Sequence, residues 1–161
     1  MTARPDWAAL AQLWPDEVLL HRTADLQDTA AACRGRLVYL ATPYTREAVT
    51  VEGAWDPARS AAAQAGAARW ARAFARAGVT AISPVVQACA MLGDDPAAAP
   101  DPLDHGFWSA WCWPLLLACD AVAVPPLPGR RRSVGIWTEV RAALDQTKPV
   151  YLMRRARREA A

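Results

Sequence analysis

The stretch from Asp120 to Met153, DAVAVPPLPGRRRSVGIWTEVRAALDQTKPVYLM, decides the fold. It opens with DAVAV, a short apolar run suited to a strand buried on both faces. The prolines and glycine of PPLPGRRR turn the chain into a stiff loop. Ser133 then offers an N-cap for a helix reaching about Thr147, with Ile136, Val140, Ala143 and Leu144 on its core face. PVYLM, residues 149–153, is a second apolar strand. A strand, a crossover helix and another strand make a parallel pair, because the crossover returns the chain to the same end of the sheet.

Toward the N-terminus the alternation repeats. RLVYLA, residues 36–41, lies between Gly35 and Pro43 and reads as a buried strand. Asp56 and Pro57 suit the N-cap and first position of a long helix that Gly78 ends. Ala63, Ala67, Trp70, Ala71, Phe74 and Ala77 line one face of it, and Arg69, Arg72 and Arg76 another. VTAIS, residues 79–83, is a further strand, stopped by Pro84, and Pro96, Pro100 and Pro102 mark a loop. Residues 104–118 return to helix around Trp108, Trp111 and Trp113, where Pro114 implies a kink or a new helical start.

Residues 1–35, with Trp7, Leu10, Leu13 and Trp14 at helical spacing, read as one or two helices that either lid the site or cover the sheet. The expectation is a doubly wound α/β domain over 36–153, with a mainly parallel sheet of four or five strands and helices on both faces. A helical N-terminal extension precedes it, and a basic tail, 154–161, carries Arg154, Arg155, Arg157 and Arg158.

Composition narrows the function. Hydrophobic residues are 53% and charged residues 21%, which suits one globular domain rather than a disordered chain. A net charge of +2 gives no reason to expect a DNA or RNA polymer as partner. No run approaches the ~20 apolar residues of a membrane span. The N-terminal stretch, with Asp6, Asp16 and Glu17, lacks the basic-then-apolar pattern of a signal peptide. Cys33, Cys89, Cys112 and Cys119 show no CxxC spacing, and His21 and His105 are the only histidines. Neither a structural metal site nor a disulfide framework is expected, and reduced thiols suit a cytoplasmic protein.

Ligands of such sheets bind outside the strand carboxyl ends, at the switch in strand order. That confines the site to Tyr39–Tyr44, Ser83–Cys89 and Pro125–Glu139. There is no GxGxxG after the first strand and no GxxxxGK[ST], so dinucleotide and P-loop phosphate binding lose their main support. Thr42, Tyr44 and Ser83 follow the strand ends and are candidate substrate contacts. Ser133 and the free amides of its helix form a corner friendly to anions, beside Arg130, Arg131 and Arg132. Gly135 and Glu139 share a helix face, so a ligand can approach the backbone at one and meet the carboxylate of the other. Trp108 is a candidate for stacking on a base or for the core. Trp137 is placed on the exposed side of the helix as a contact for a neighbouring subunit.

VYLATPYT, GVTAISP, Trp108 followed by PLLLACDAVAV, and LPGRRRSVGIWTEVRAALDQTKPVYL occur in an order and spacing that resemble the nucleoside 2-deoxyribosyltransferase-like superfamily. Within it, the chain looks closest to a group of small YLAGPY-type (DUF1937-like) proteins. The resemblance implies a flavodoxin-like sheet, no cofactor and a homodimer or higher homo-oligomer. It also implies cleavage or transfer at the N-glycosidic bond of a nucleotide or nucleoside. In it Glu139 matches the nucleophile that forms a glycosyl-enzyme intermediate, which water or a second base resolves. Tyr39 matches a tyrosine that steadies the nucleophile, the alternative being a core aromatic. Ser133 matches the serine that nucleoside monophosphate hydrolases place beside a 5′-phosphate.

Two positions depart from the pattern. Cys112 stands where the superfamily usually offers an aspartate that moves a proton to or from the base, and a mostly neutral thiol does not replace a carboxylate. Gln87 and Cys89 stand where close relatives often carry histidines. Asp104 or His105 is then the candidate replacement acid, and Asp120 reads as structural. A glycosidic enzyme, a nucleotide-sensing module without turnover, and a purely structural protein remain the three readings.

Overall fold

The computed structural model describes residues 4–15, 18–93 and 99–155. Asp16, Glu17, Pro96, Arg157 and Arg158 lie outside the described residues. The order is α1 (Trp7–Leu13), β1 (Leu20–His21), α2 (Leu26–Ala32), β2 (Leu37–Leu40), α3 (Pro57–Arg76), β3 (Thr80–Ile82), α4 (Pro84–Leu92), α5 (His105–Ala118), β4 (Ala121–Val124), α6 (Val134–Asp145) and β5 (Val150–Leu152).

All four strand pairings are parallel, and the strands lie in the order β1-β5-β4-β2-β3. Counted from β2, the strands run 2-1-3-4, the flavodoxin-like arrangement, with β1 in the fifth place. The N-terminal extension is therefore not purely helical. Leu20 and His21 pair with Val150 and Tyr151, a segment too short to show any periodicity of its own. The sheet separates two apolar layers. One joins Tyr39, Val122 and Val124 to Leu116 of α5 and to Ile136, Val140 and Leu144 of α6. The other joins Val38, Leu40 and Ala123 to Phe74 of α3 and Ala30 of α2.

Local chemistry sets the helix ends. The Asp56 carboxylate accepts from the Arg59 amide at the start of α3, and Ser133 Oγ accepts from the Ile136 amide at the start of α6. Pro84 does stop β3, but as the first residue of α4, which the expected loop did not include. α5 runs without a new start through Pro114. The carbonyl at Ala110, which the proline leaves without an amide, belongs to an exposed residue open to water. Its C-terminal end is held by Lys148, the one lysine in the chain, whose Nζ donates to the carbonyls of Leu116, Leu117 and Cys119 at 2.9, 2.6 and 2.7 Å.

Two further expectations are corrected. Trp137 is 9% exposed rather than on the open side of α6. Trp7 packs edge-on against it, with ring centroids 5.2 Å apart, and the Trp7 indole donates to the Arg131 carbonyl. α1 thus covers α6 where a neighbouring subunit was expected. Arg130 is not a free anion ligand either. Its guanidinium donates to the carbonyls of Val124 and Met153 at 3.1 and 2.6 Å, tying the chain together just past β4 and β5.

Candidate functional site

β2 lies between β3 and β4, and the crossovers that leave β2 and β4, through α3 and α6, pack on opposite faces, so the crevice of the switch point opens above the carboxyl ends of these two strands. It is a cavity of about 550 Å³. Tyr39, Thr42, Tyr44, Trp108, Cys112, Ser133, Gly135 and Glu139 all line it. Ser83 does not. It is the N-cap residue of α4, 6% exposed, and its buried hydroxyl has no partner among the described residues.

At the floor, the Tyr39 hydroxyl donates to Glu139 Oε1 at 2.6 Å. Tyr39 points from β2 into the α5–α6 layer, because side chains alternate along a strand and Val38 and Leu40 take the other face. Glu139 reaches it from the second turn of α6, one residue before the core residue Val140. Apart from its edge on the cavity, Glu139 is enclosed by protein. Burial pushes its carboxyl up to about 7, while the Tyr39 hydrogen bond pulls the other way. Tyr39 itself is held far above the ordinary phenol value, first by burial and then by the Glu139 charge, so it remains a donor.

Cys112 approaches the same pair from α5. Burial, and then the Glu139 charge, push its thiol up to about 11, so it is a neutral neighbour and no acid-base catalyst near neutrality. Of the two replacements named from the sequence, Asp104 is occupied as the N-cap of α5, accepting from the Phe107 amide. His105 lines the cavity. The Trp108 indole donates to the Asp101 carbonyl at 2.8 Å and stands edge-on to Trp111, so its orientation is set by the protein.

On the far wall, a side chain built at Gly135 would meet nothing nearer than Ser133 Oγ at 3.8 Å. The first turn of α6 is therefore open to the cavity. Arg130, Arg131 and Arg132 do not line it, and Arg46 is the one arginine among the described residues that does.

Two contributors were missed from the sequence. Glu47 lines the cavity, lying so close to Gly129 (φ +81°) that a Cβ there would come 1.9 Å from its Oε1. The only signal was the turn glycine itself, which does not say what approaches it. The second is a bonded group behind Tyr44, whose hydroxyl meets Ser60 Oγ at 2.8 Å and accepts from the Trp55 indole at 3.0 Å. Tyr44 is thereby a fixed wall. Thr42 Oγ1 is buried at the same edge without a partner among the described residues. No cluster of His, Cys, Asp and Glu that could hold a metal ion occurs among the described residues.

Fold and site together define a parallel α/β protein with a tyrosine-bound carboxyl group at the bottom of a switch-point cavity. Residues 36–155 match the family described as Domain of unknown function (DUF1937), and the chain belongs to that family. No curated protein and no solved structure matches it.

Proposed function

We propose that this protein cleaves or transfers at the N-glycosidic bond of a (deoxy)nucleoside 5′-monophosphate or a closely similar compound, with Glu139 as nucleophile. The observation that carries the reading is the Tyr39–Glu139 hydrogen bond at the floor of the cavity. It sets a carboxyl group of lowered solvation where a ligand can reach it. In the proposed reaction a Glu139 oxygen bonds to the anomeric carbon as the carbon–nitrogen bond breaks. The electron pair leaves on the base, which takes a proton from His105 or from water. Water or a second base then attacks the same carbon and releases Glu139.

The open first turn of α6 and Ser133 support an anionic 5′ group, with Arg46 at the rim as the nearby cation in place of Arg130. The four cysteines are free, which suits the cytoplasm, and no described helix is long and apolar enough to cross a membrane. Phe107, Trp113 and Leu117, exposed along α5, support a homo-oligomer.

The second reading, a nucleotide-binding module without turnover, is favoured by the neutral Cys112 thiol. One experiment separates them. Ribo- and deoxyribonucleoside 5′-monophosphates are incubated with the wild type and with Glu139→Gln, and free base is measured by mass spectrometry. Release by the wild type alone supports the enzyme. Thermal stabilisation by a nucleotide without release from any substrate supports the module.

A further inference from the structure

α3 carries four arginines and no acidic residue in twenty positions. Arg69, Arg72 and Arg76 stand at spacings of three and four, so their side chains share a face. None of the three makes a hydrogen bond or ion pair with any described residue. Like charges at these spacings repel one another and destabilise a helix. Arg76 recovers part of this through the C-terminal end of the helix dipole, but Arg69 and Arg72 do not. The arrangement costs stability with no partner among the described residues to offset it.

The row also borders a defined space. Arg69, Arg72 and Arg76 form one wall of a groove of about 330 Å³, Gln27 and Leu26 from the first turn of α2 form the other, and Ala73 and Ala77 line it as well. No carboxylate among the described residues lines it. Gln27 adds a side-chain amide donor, and the small alanine side chains leave room between the guanidinium groups. The groove is remote from the crevice. Ser60, at the start of α3, touches Tyr44 at the cavity, and Arg72 lies about 18 Å further along the helix axis.

We propose that this groove is a second, separate binding site for an anion with two or three linked phosphates. The row from Arg69 to Arg76 spans about 10 Å, which suits a phosphate chain with several charges, whereas a monophosphate engages only one part of it. Guanidinium groups bind phosphate oxygens in paired, charge-assisted hydrogen bonds. The groove ends at α2, and the net charge of the chain is only +2, so a long polyanion is the poorer fit. A nucleoside triphosphate and inorganic triphosphate share this chemistry. The inference does not depend on Glu139 or on the glycosidic reading.

The test is titration of the full chain with inorganic triphosphate, ATP, AMP and sulfate at matched ionic strength, following the Gln27 side-chain amide by NMR. Triphosphate is expected to bind at one site and move the Gln27 resonance, and AMP and sulfate to leave it in place. Arg72→Gln, and separately Arg69→Gln with Arg76→Gln, keep a good helix former on an exposed face and are each expected to weaken triphosphate binding by about tenfold. ATP binding tighter than triphosphate would assign the site to a nucleotide, and equal binding would assign it to the phosphate chain alone. Equal displacement of Gln27 by sulfate, or triphosphate affinity unchanged in both variants, would overturn the proposal.

Discussion

Asp120 and Glu139 are carboxyl groups at opposite edges of one sheet, each bonded to a residue of β2, and they do different work. Asp120 is exposed at the amino edge. Its Oδ2 accepts from the Leu37 amide at 2.7 Å while its own amide donates to the Leu37 carbonyl at 2.8 Å, which aligns β4 against β2. Glu139 accepts from Tyr39, two residues further along the same strand, but in an enclosed place that pushes its carboxyl up to about 7. Water screens the first group, so it contributes one more hydrogen bond to the fold. The second keeps the cost of burial as a raised pKa and hence as pH sensitivity, because no cation among the described residues at the floor of the cavity offsets that cost.

The largest effect that would break this contrast is on turnover. If Glu139 is the nucleophile, Glu139→Gln lowers base release by about four orders of magnitude or more, measured under single-turnover conditions. On the same reading, substituting Asp120 leaves the rate of base release by the folded protein unchanged.

Stability tests the same contrast without any substrate. An unfolded glutamate titrates near 4.3, and the folded value of Glu139 is about 7. Below pH ~4 both states are protonated and the group is neutral to stability. As pH rises toward 7 the unfolded chain releases its proton first, so the native state loses stability and stays lower above pH 7. Glu139→Gln removes that loss. Its melting temperature is expected to match the wild type at pH 4 and to exceed it at pH 8, by at most about 4 kcal/mol in unfolding free energy.

Tyr39→Phe sharpens the comparison by removing the donor alone. Loss of a hydrogen bond to a charged group is worth ~1.5–3 kcal/mol, so kcat/KM falls by ~10- to 100-fold. The acid limb of its pH profile also moves above the wild-type position, because the interaction that favours the ionised carboxylate is gone. Asp120→Ala is the smallest of the four. It lowers unfolding free energy by about 1 kcal/mol, since only one hydrogen bond at an exposed edge is lost.

Much of the frame was legible because it is written in neighbouring residues. Asp56 with Pro57, Ser133 with its helix, and the apolar runs of β2, β4 and β5 lie where caps and hydrophobic runs put them. The site was legible for a related reason. Gly135 and Glu139 are local helix partners, and the strand ends that define the crevice follow from the alternation itself. β1 was not readable, since two residues carry no periodicity and its pairing depends on β5, far along the chain. α4 was hidden because Pro84 ends a strand and starts a helix with equal ease.

The sequence by itself therefore determined most of the elements, the parallel sheet and the edge at which the cavity opens, since each rests on short-range sterics, capping and periodicity. Only the tertiary structure decided how individual side chains are used. Trp137 is buried because Trp7, 130 positions away, lies over it. Arg130 is unavailable to ligand because two carbonyls past β4 and β5 converge on it. Glu47 enters the cavity because Gly129 leaves room for it. Burial and hydrogen-bond partnership depend on residues that the fold brings together from distant parts of the chain, and no local pattern encodes them.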